Sequence, residues 1–203
     1  MKRLHSLLAA TLLWLPLTLA AALDDPRELV MDTTDKMLAK IQQEKPALDV
    51  NPRLIDQFVI DIVLPHFDFE AMSRSVLGKH WQRASGEERQ QFLLEFRNLL
   101  IRTYATALLE YSGQKIEFLP LPPSGPQADV TVRTEIQQPG GLPIPINYRM
   151  EKQAGGWKVY DVLIDGVSLV GNYRVSFGNE IRSSGLPKLL ETMRKRNAEA
   201  HGS

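Results

Sequence analysis

Three runs near the middle of the chain decide the fold: Ala128-Asp-Val-Thr-Val-Arg-Thr-Glu-Ile-Gln137, Ile144-Pro-Ile-Asn-Tyr-Arg-Met-Glu-Lys-Gln153 and Trp157-Lys-Val-Tyr-Asp-Val-Leu-Ile164. In the first, Val130, Val132, Thr134 and Ile136 alternate with Thr131, Arg133 and Glu135. In the second, Ile144, Ile146, Tyr148 and Met150 alternate with Pro145, Asn147, Arg149 and Glu151. A period of two with one apolar face and one wet face is the mark of antiparallel strands. The turn-forming clusters Pro120 to Pro126, Pro139 to Gly141 and Ala154 to Gly156 separate the runs. With Lys115 to Leu119 ahead of them, the short connections predict a four-stranded antiparallel meander.

On the N-terminal side the period becomes helical. Asp25 before Pro26 is an N-cap with proline in the first turn, and Leu29, Val30, Met37, Leu38 and Ile41 follow at helical spacing up to about Gln43. Asn51-Pro52 opens a second helix, whose stripe of Leu54, Ile55, Phe58, Val59, Ile62 and Val63 stops before Pro65. Asp68 caps a short third helix that ends at Gly78, with a further turn around Trp81. Ser85 and Glu88 form a capping box, and a stripe from Phe92 through Phe96, Leu100, Tyr104 and Leu108 predicts one long helix up to Gly113, about 40 Å if unbroken. After the strands, Ser168 caps a helix carrying Val170, Tyr173, Phe177 and Ile181, and Leu186 to Arg196 forms the last. Helices, sheet, helices in that order is an α+β fold.

At the start of the chain, Lys2 and Arg3 precede an apolar run from Leu4 to Leu19, and Ala20-Ala21-Ala22 supplies small residues for cleavage. This is the pattern of a secretory signal peptide over residues 1–22; the run is broken by Pro16 and is too short to span a bilayer. The expected mature chain, residues 23–203, is a single domain, helical over about 23–113 and completed by the sheet and last helices over about 114–197. A periplasmic location fits an exported chain without a lipobox cysteine. The chain has no cysteine at all, so disulfides, thiolate nucleophiles and sulfur-ligated zinc are excluded together. Its 24 basic and 24 acidic residues cancel, leaving no global field to gather nucleic acid.

Catalytic chemistry is thinly represented. Only His66 and His80 lie in the expected folded body. Gly166-Val167-Ser168-Leu169-Val170 imitates a nucleophile elbow but lacks the second glycine, so Ser168 reads as a helix cap. Asp161 and Asp165 read as turn and capping carboxylates rather than an acid–base pair. Gly78-Lys79-His80 has neither the upstream glycine nor the hydroxyl of a phosphate loop, and the scattered methionines read as core filling rather than a copper site. What remains is apolar surface. The sheet's inner face must meet the helical stripes, and periodicity leaves open whether they meet as solid core or around a cavity.

Two blocks carry a family resemblance. One runs Trp157-Lys-Val-Tyr-Asp161-Val-Leu-Ile-Asp165-Gly166-Val-Ser168-Leu-Val170-Gly-Asn-Tyr173-Arg174, followed by Phe177, Ile181 and Gly185-Leu186; the other runs Leu64-Pro65-His66-Phe67-Asp68-Phe69-Glu70-Ala-Met72-Ser73-Arg74, then Leu77-Gly78-Lys79-His80-Trp81 and Phe92 through Tyr104. Together they resemble the MlaC, or toluene-tolerance, family. The resemblance implies a non-enzymatic periplasmic carrier that maintains outer-membrane lipid asymmetry. Phospholipid is its cargo, and it uses no cofactor. It also implies two partners, an outer-membrane lipoprotein–porin complex and an inner-membrane ABC transporter with an MCE subunit. In fold it implies an NTF2-like twisted sheet beside a helical subdomain, with acyl chains between them.

The family motif does not mark individual lipid contacts, so these rest on the pattern. The expected lining is Val130, Val132, Ile146, Tyr148, Met150, Val162 and Ile164 on the sheet, facing Phe96, Leu100, Tyr104, Val170, Tyr173 and Phe177 on helices. Arg133, Arg149, Lys152, Lys158 and Arg174 are candidates for a basic rim that meets lipid phosphates or acidic partner surfaces, and strand parity places Arg133 and Arg149 opposite the apolar face, where partner docking is expected of them. The competing reading is an NTF2-like periplasmic enzyme acting on an apolar substrate, for which Tyr160, Asp161 and His66 are the candidates. A third is a chaperone-like module.

Overall fold

The computed structural model describes residues 25–121 and 128–202; the expected signal peptide and part of the Pro120 to Pro126 loop lie outside the described residues. Helix α1 is Pro26–Gln43, and the Asp25 carboxylate accepts from the Arg27 and Glu28 amides at 2.8 and 3.3 Å. A short helix not anticipated from the sequence, α2, follows at Lys45–Val50, with Pro46 in its first turn, where the missing N–H leaves no bond unmade. The next apolar stripe does not form a uniform helix. It begins as α3, Leu54–Phe58, widens to a π-helical turn at Val59–Val63 and tightens to a 3-10 turn at Leu64–His66, where Pro65 cannot continue the α-helical ladder.

Asp68 caps α4, Phe69–Leu77, by accepting from the Ala71 amide at 2.8 Å, and Gly78 ends it at φ +52°. The turn around Trp81 is α5, Lys79–Arg83. The Ser85 and Glu88 capping box opens α6, Gly86–Tyr104. The stripe expected to run to Gly113 keeps α-helical pitch for only those 19 residues, about 28 Å, and Ala105–Glu110 continue as 3-10 helix. Near the change, the Thr103 hydroxyl donates to the Leu99 carbonyl at 2.7 Å, a back-bond that bends helices.

The sheet comprises β1 Ile116–Phe118, β2 Asp129–Ile136, β3 Ile144–Gln153, β4 Gly156–Ile164 and β5 Val167–Ser168, antiparallel in chain order. The expected meander is present, with one strand more than the four predicted. Strand β5 has two residues, too few to show a period, and it folds back through Asp165 and Gly166, both at positive φ. A bulge interrupts β4: Arg149 faces Asp161 and Met150 faces Val159, leaving Tyr160 unpaired. The bulge shifts parity by one residue, so Trp157 and Val159 on one side of it and Val162 and Ile164 on the other all reach the inner face. Ser168 then caps α7, Leu169–Ser184, accepting from the Gly171 amide at 2.8 Å, and α8, Leu186–Gly202, runs beyond the expected Arg196.

Apolar side chains gather in three clusters. The first joins α4, α6, α7 and α8 around Met72, Phe92, Phe96, Phe177 and Leu189. The second lies on the inner face of the sheet around Val132, Met150 and Trp157, where Leu29 and Val30 of α1 cover it. The third holds Met37 of α1, Ile55 of α3, Val59 and Ile101. Helix α1 therefore reaches from the sheet cluster at its start to the third cluster near its end.

Candidate functional site

The inner face of the sheet is sealed at one end and accessible at the other. Along β3, Met150 is buried, Tyr148 and Ile146 are half-buried and Ile144 is exposed. Along β4, Trp157, Val159 and Val162 are buried and Ile164 is half-buried. On β2, Val132 and Thr134 are buried and Ile136 is half-buried. Register places Ile136, Ile144, Ile146 and Ile164 together at the accessible end. Tyr148, in the middle, keeps accessible surface although burial pushes its hydroxyl up to about 12, with a hydrogen bond to Thr134 pulling weakly the other way.

The proportion of half-buried to buried residues separates the three clusters. In the α4–α8 cluster fully buried residues predominate. In the sheet cluster Phe67, Phe118, Val130, Ile146, Tyr148, Ile164 and others are half-buried, and in the third cluster Leu54, Phe58, Ile62, Leu64 and Leu108 are too, so half-buried residues outnumber buried ones in both.

The expected lining residues therefore fall into two groups. Val130, Val132, Ile146, Tyr148, Met150, Val162 and Ile164 come together on one face. Phe96, Leu100, Val170 and Phe177 are buried in the α4–α8 cluster instead, with ring centroids 6.3 Å apart for Phe96 and Phe177. Tyr104 and Tyr173 stand at the margin of that cluster, half-buried. Burial, followed by the proximity and hydrogen bonding of Tyr173, pushes the Tyr104 hydroxyl up to about 12. Tyr173 lies one turn after Leu169 of the sheet cluster, and Tyr104 one turn before Leu108 of the third. Both pack against the α4–α8 cluster, each within one helical turn of a residue packed on another cluster. Phe58, Ile62, Leu64, Leu108 and Leu109 are half-buried against the third cluster and lie outside the expected lining; two long apolar stripes, Leu54 to Val63 and Phe92 to Leu108, carry them in the sequence.

The polar candidates are held by separate partners. Asp161, 3% exposed, accepts from the Ser168 hydroxyl at 2.6 Å and the Val170 amide at 3.1 Å, which ties β4 to the start of α7. Tyr160 donates to the Asp129 carboxylate at 2.8 Å. His66 belongs to the 3-10 turn, where burial, then the nearby Lys158 and Lys36, lowers its pKa.

The five basic residues do not form one rim. Arg133, Arg149 and Lys158 lie on the outer face of the sheet, where Arg133 donates to the Pro120 carbonyl at 3.3 Å, Arg149 is 3.4 Å from the Asp161 carboxylate and Lys158 donates to the Pro65 carbonyl at 2.6 Å. Lys152 lies over the Trp157 ring at the end of β3, and the Arg174 guanidinium rests on Gly78, where an added Cβ would meet it at 3.4 Å.

Two surface depressions, one along α8 beside Lys188, Glu191 and Lys195 and one between α3 and α6 beside Arg53, Asp56 and Arg102, carry charged rims, unlike the apolar inner face of the sheet. Among the described residues no group of three or more His, Asp or Glu could hold a metal, and no helix is long and apolar enough to cross a membrane.

Comparison with known proteins adds an independent line. The family described as MlaC protein matches residues 31–195. The intermembrane phospholipid transport system binding protein MlaC of Haemophilus influenzae is 28% identical over 179 residues, covering 87% of this chain and 84% of that protein. The toluene tolerance protein ttg2D of Pseudomonas putida is 28% identical over 169 residues, covering 82% of this chain and 78% of its own. Among solved structures, a phospholipid-binding protein from Ralstonia solanacearum, in complex with a phospholipid, superposes with a TM-score of 0.79 at 32% identity, covering 87% of this chain and 99% of its own.

Proposed function

Because this chain belongs to the MlaC family, we propose that it is a phospholipid carrier: it holds the acyl chains of one or more lipids in the cleft between the sheet and the α1–α3 side and passes them between membrane complexes. The observation that carries this reading is the incompletely covered apolar face of the sheet, where Ile136, Ile146, Tyr148 and Ile164 are half-buried and Ile144 is exposed. In this reading the acyl chains rest against Val130, Ile146, Tyr148 and Ile164, over a floor of Val132, Met150 and Val162, and the half-buried Phe58, Ile62, Leu64 and Leu108 of the third cluster are the proposed opposite wall. Phe96, Leu100, Val170 and Phe177 support the wall from behind, and Tyr104 with Tyr173 closes the junction.

The energetics suit a carrier. Two chains of about 30 methylenes in all, at about 0.8 kcal/mol each, resist exposure to water by on the order of 25 kcal/mol. Moving them from a bilayer to an equally apolar cleft is close to neutral, so the barrier controls transfer and contact with a membrane complex lowers it. This chain would be exported to the periplasm by cleavage of residues 1–22, leaving one domain from residue 23. It would serve outer-membrane lipid asymmetry by shuttling between an outer-membrane lipoprotein–porin complex and an inner-membrane ABC transporter with an MCE subunit. Arg133, Arg149, Lys152, Lys158 and Arg174 supply charges for those encounters, from several faces rather than one rim. Organic extraction of the purified chain followed by lipid mass spectrometry tests the reading: phospholipid in near-stoichiometric amount is expected, and a ligand-free protein that accepts no lipid from vesicles would reject it.

A further inference from the structure

The accessible end of the inner face continues into an uncharged projection. From Ile136 to Tyr148 the sequence is Ile-Gln-Gln-Pro-Gly-Gly-Leu-Pro-Ile-Pro-Ile-Asn-Tyr, thirteen residues without a charge in a chain that is 24% charged. This segment forms the β2–β3 hairpin, closed by the Ile136 and Ile144 pair and by a Gly141 amide donating to the Gln138 carbonyl at 3.2 Å. Leu142, at its tip, is 87% exposed. The β4–β5 turn is held beside the same stem by the Asp165 amide, which donates to the Pro145 carbonyl at 2.9 Å, and it presents Val167, 58% exposed. Ile144, 37% exposed, pairs with Ile136 at the base of the tip and begins the row that Ile146 and Tyr148 continue into the cleft. An apolar track thus runs from the tip into the molecule.

Single exposed apolar residues are ordinary, but here Leu142, Ile144 and Val167 lie at the end of one apolar face, and apolar surface continuous with such a face is the kind that a membrane or a partner covers. A protein socket is usually anchored by Trp, Tyr or Arg, and the tip offers none. Aliphatic side chains on a narrow, uncharged loop instead match a fluid hydrocarbon interior, which needs no preformed pocket. We propose that the hairpin tip, led by Leu142, dips into the acyl region of a bilayer while the β4–β5 turn, with Val167 and the exposed carboxylate of Asp165, stays at its surface, so that lipid tails enter or leave the cleft without crossing water. The purpose assigned to the contact rests on the carrier reading; the contact itself does not.

The test is partition of the full exported chain onto phosphatidylcholine vesicles, compared for wild type, Leu142→Asp and Leu142→Ile, with circular dichroism and extracted lipid measured on the same samples. Leu142→Asp should lose at least about tenfold in partition, and Leu142→Ile should keep it, since a buried leucine contributes about that factor or more. Partition of the wild type should resist high salt, because no charge at the tip drives it. Undiminished partition of Leu142→Asp, or wild-type partition abolished by salt, overturns the proposal. So does a Leu142→Asp variant that binds vesicles normally but hands lipid more slowly to a membrane protein complex, which would make the tip a protein contact. A wild type that carries no lipid yet shows the Leu142-dependent partition would remove the carrier reading and leave the tip contact standing.

Discussion

The α4–α8 cluster and the sheet side are built from the same kinds of apolar residue, yet they close differently. In the helical cluster Phe92, Phe96, Tyr173 and Phe177 interlock, with Phe92 and Phe96 stacked 5.6 Å apart and Phe96 and Tyr173 edge-on at 5.3 Å. On the sheet side, β-branched residues form a regular face that only Leu29 and Val30 of α1, Phe67 and a few others partly cover. Aromatic rings on two facing helices, α6 and α7, can interdigitate, whereas a sheet face presents a fixed array that a single helix of narrower footprint cannot fill. The first arrangement stores stability, and the second is left incompletely covered, which the proposed function assigns to cargo.

If that division is right, mutations on the two sides should separate fold from lipid. The largest effect belongs to Phe96→Ala. Phe96 is fully buried, so the change should cost about 3–5 kcal/mol in denaturant unfolding while leaving bound lipid per folded molecule unchanged. Next comes Asp161→Ala, which removes the acceptor of Ser168 and Val170. A loss of about 2 kcal/mol and faster hydrogen exchange at the Val170 amide are expected, since a charged acceptor is lost from a buried donor.

Ile146→Trp should do the reverse. Filling a half-open position should change unfolding by less than about 1 kcal/mol and cut the extracted lipid several-fold. If it unfolds the protein as severely as Phe96→Ala does, the sheet side is solid core and the division fails.

The smallest effect near neutral pH is electrostatic. Burial leads the causes that raise Tyr104 and Tyr148 to about 12 from an ordinary value of 10.0. The folded state thus holds these protons more tightly than the unfolded chain. Their contribution to stability is fully present below about pH 10 and is lost as pH rises toward about 12. Alkaline titration by tyrosinate absorbance should show late-ionising tyrosines, with unfolding setting in across that window. Tyr148→Phe should remove one group from the late phase while Tyr104 and Tyr160, also held at about 12, still ionise in it.

Much of the molecule was legible because its signals are local. The caps at Asp25, Asp68, Ser85 and Ser168 each bond amides two or three residues on, and strand alternation needs no knowledge of partners. What escaped was non-local. The bulge at Tyr160 exists only in relation to β3, although it explains how Trp157 and Ile164, of opposite parity, share one face. The pitch changes after Phe58 and Tyr104 redirect two stripes that read as continuous. For the same reason the helical lining residues were assigned from stripes that point inward, without the information that Phe96 and Phe177 point at each other. Hydropathy marks what leaves water, and only packing shows whether another side chain or a ligand takes its place.

The division can be read directly from two tryptophans. Trp157 lies in the sheet cluster, and Trp81 packs at the edge of the helical cluster beneath Arg89. Exported chains carrying Trp81→Phe or Trp157→Phe would each retain a single tryptophan once residues 1–22 are removed. Each can be loaded with a phospholipid brominated along its acyl chains, and its fluorescence compared with the same chain holding the unbrominated lipid. Because bromine quenches only at short range, strong quenching of Trp157 with Trp81 unaffected is the expected result. Equal quenching of both, or quenching of Trp81 alone, would place the acyl chains among the helices and contradict the account.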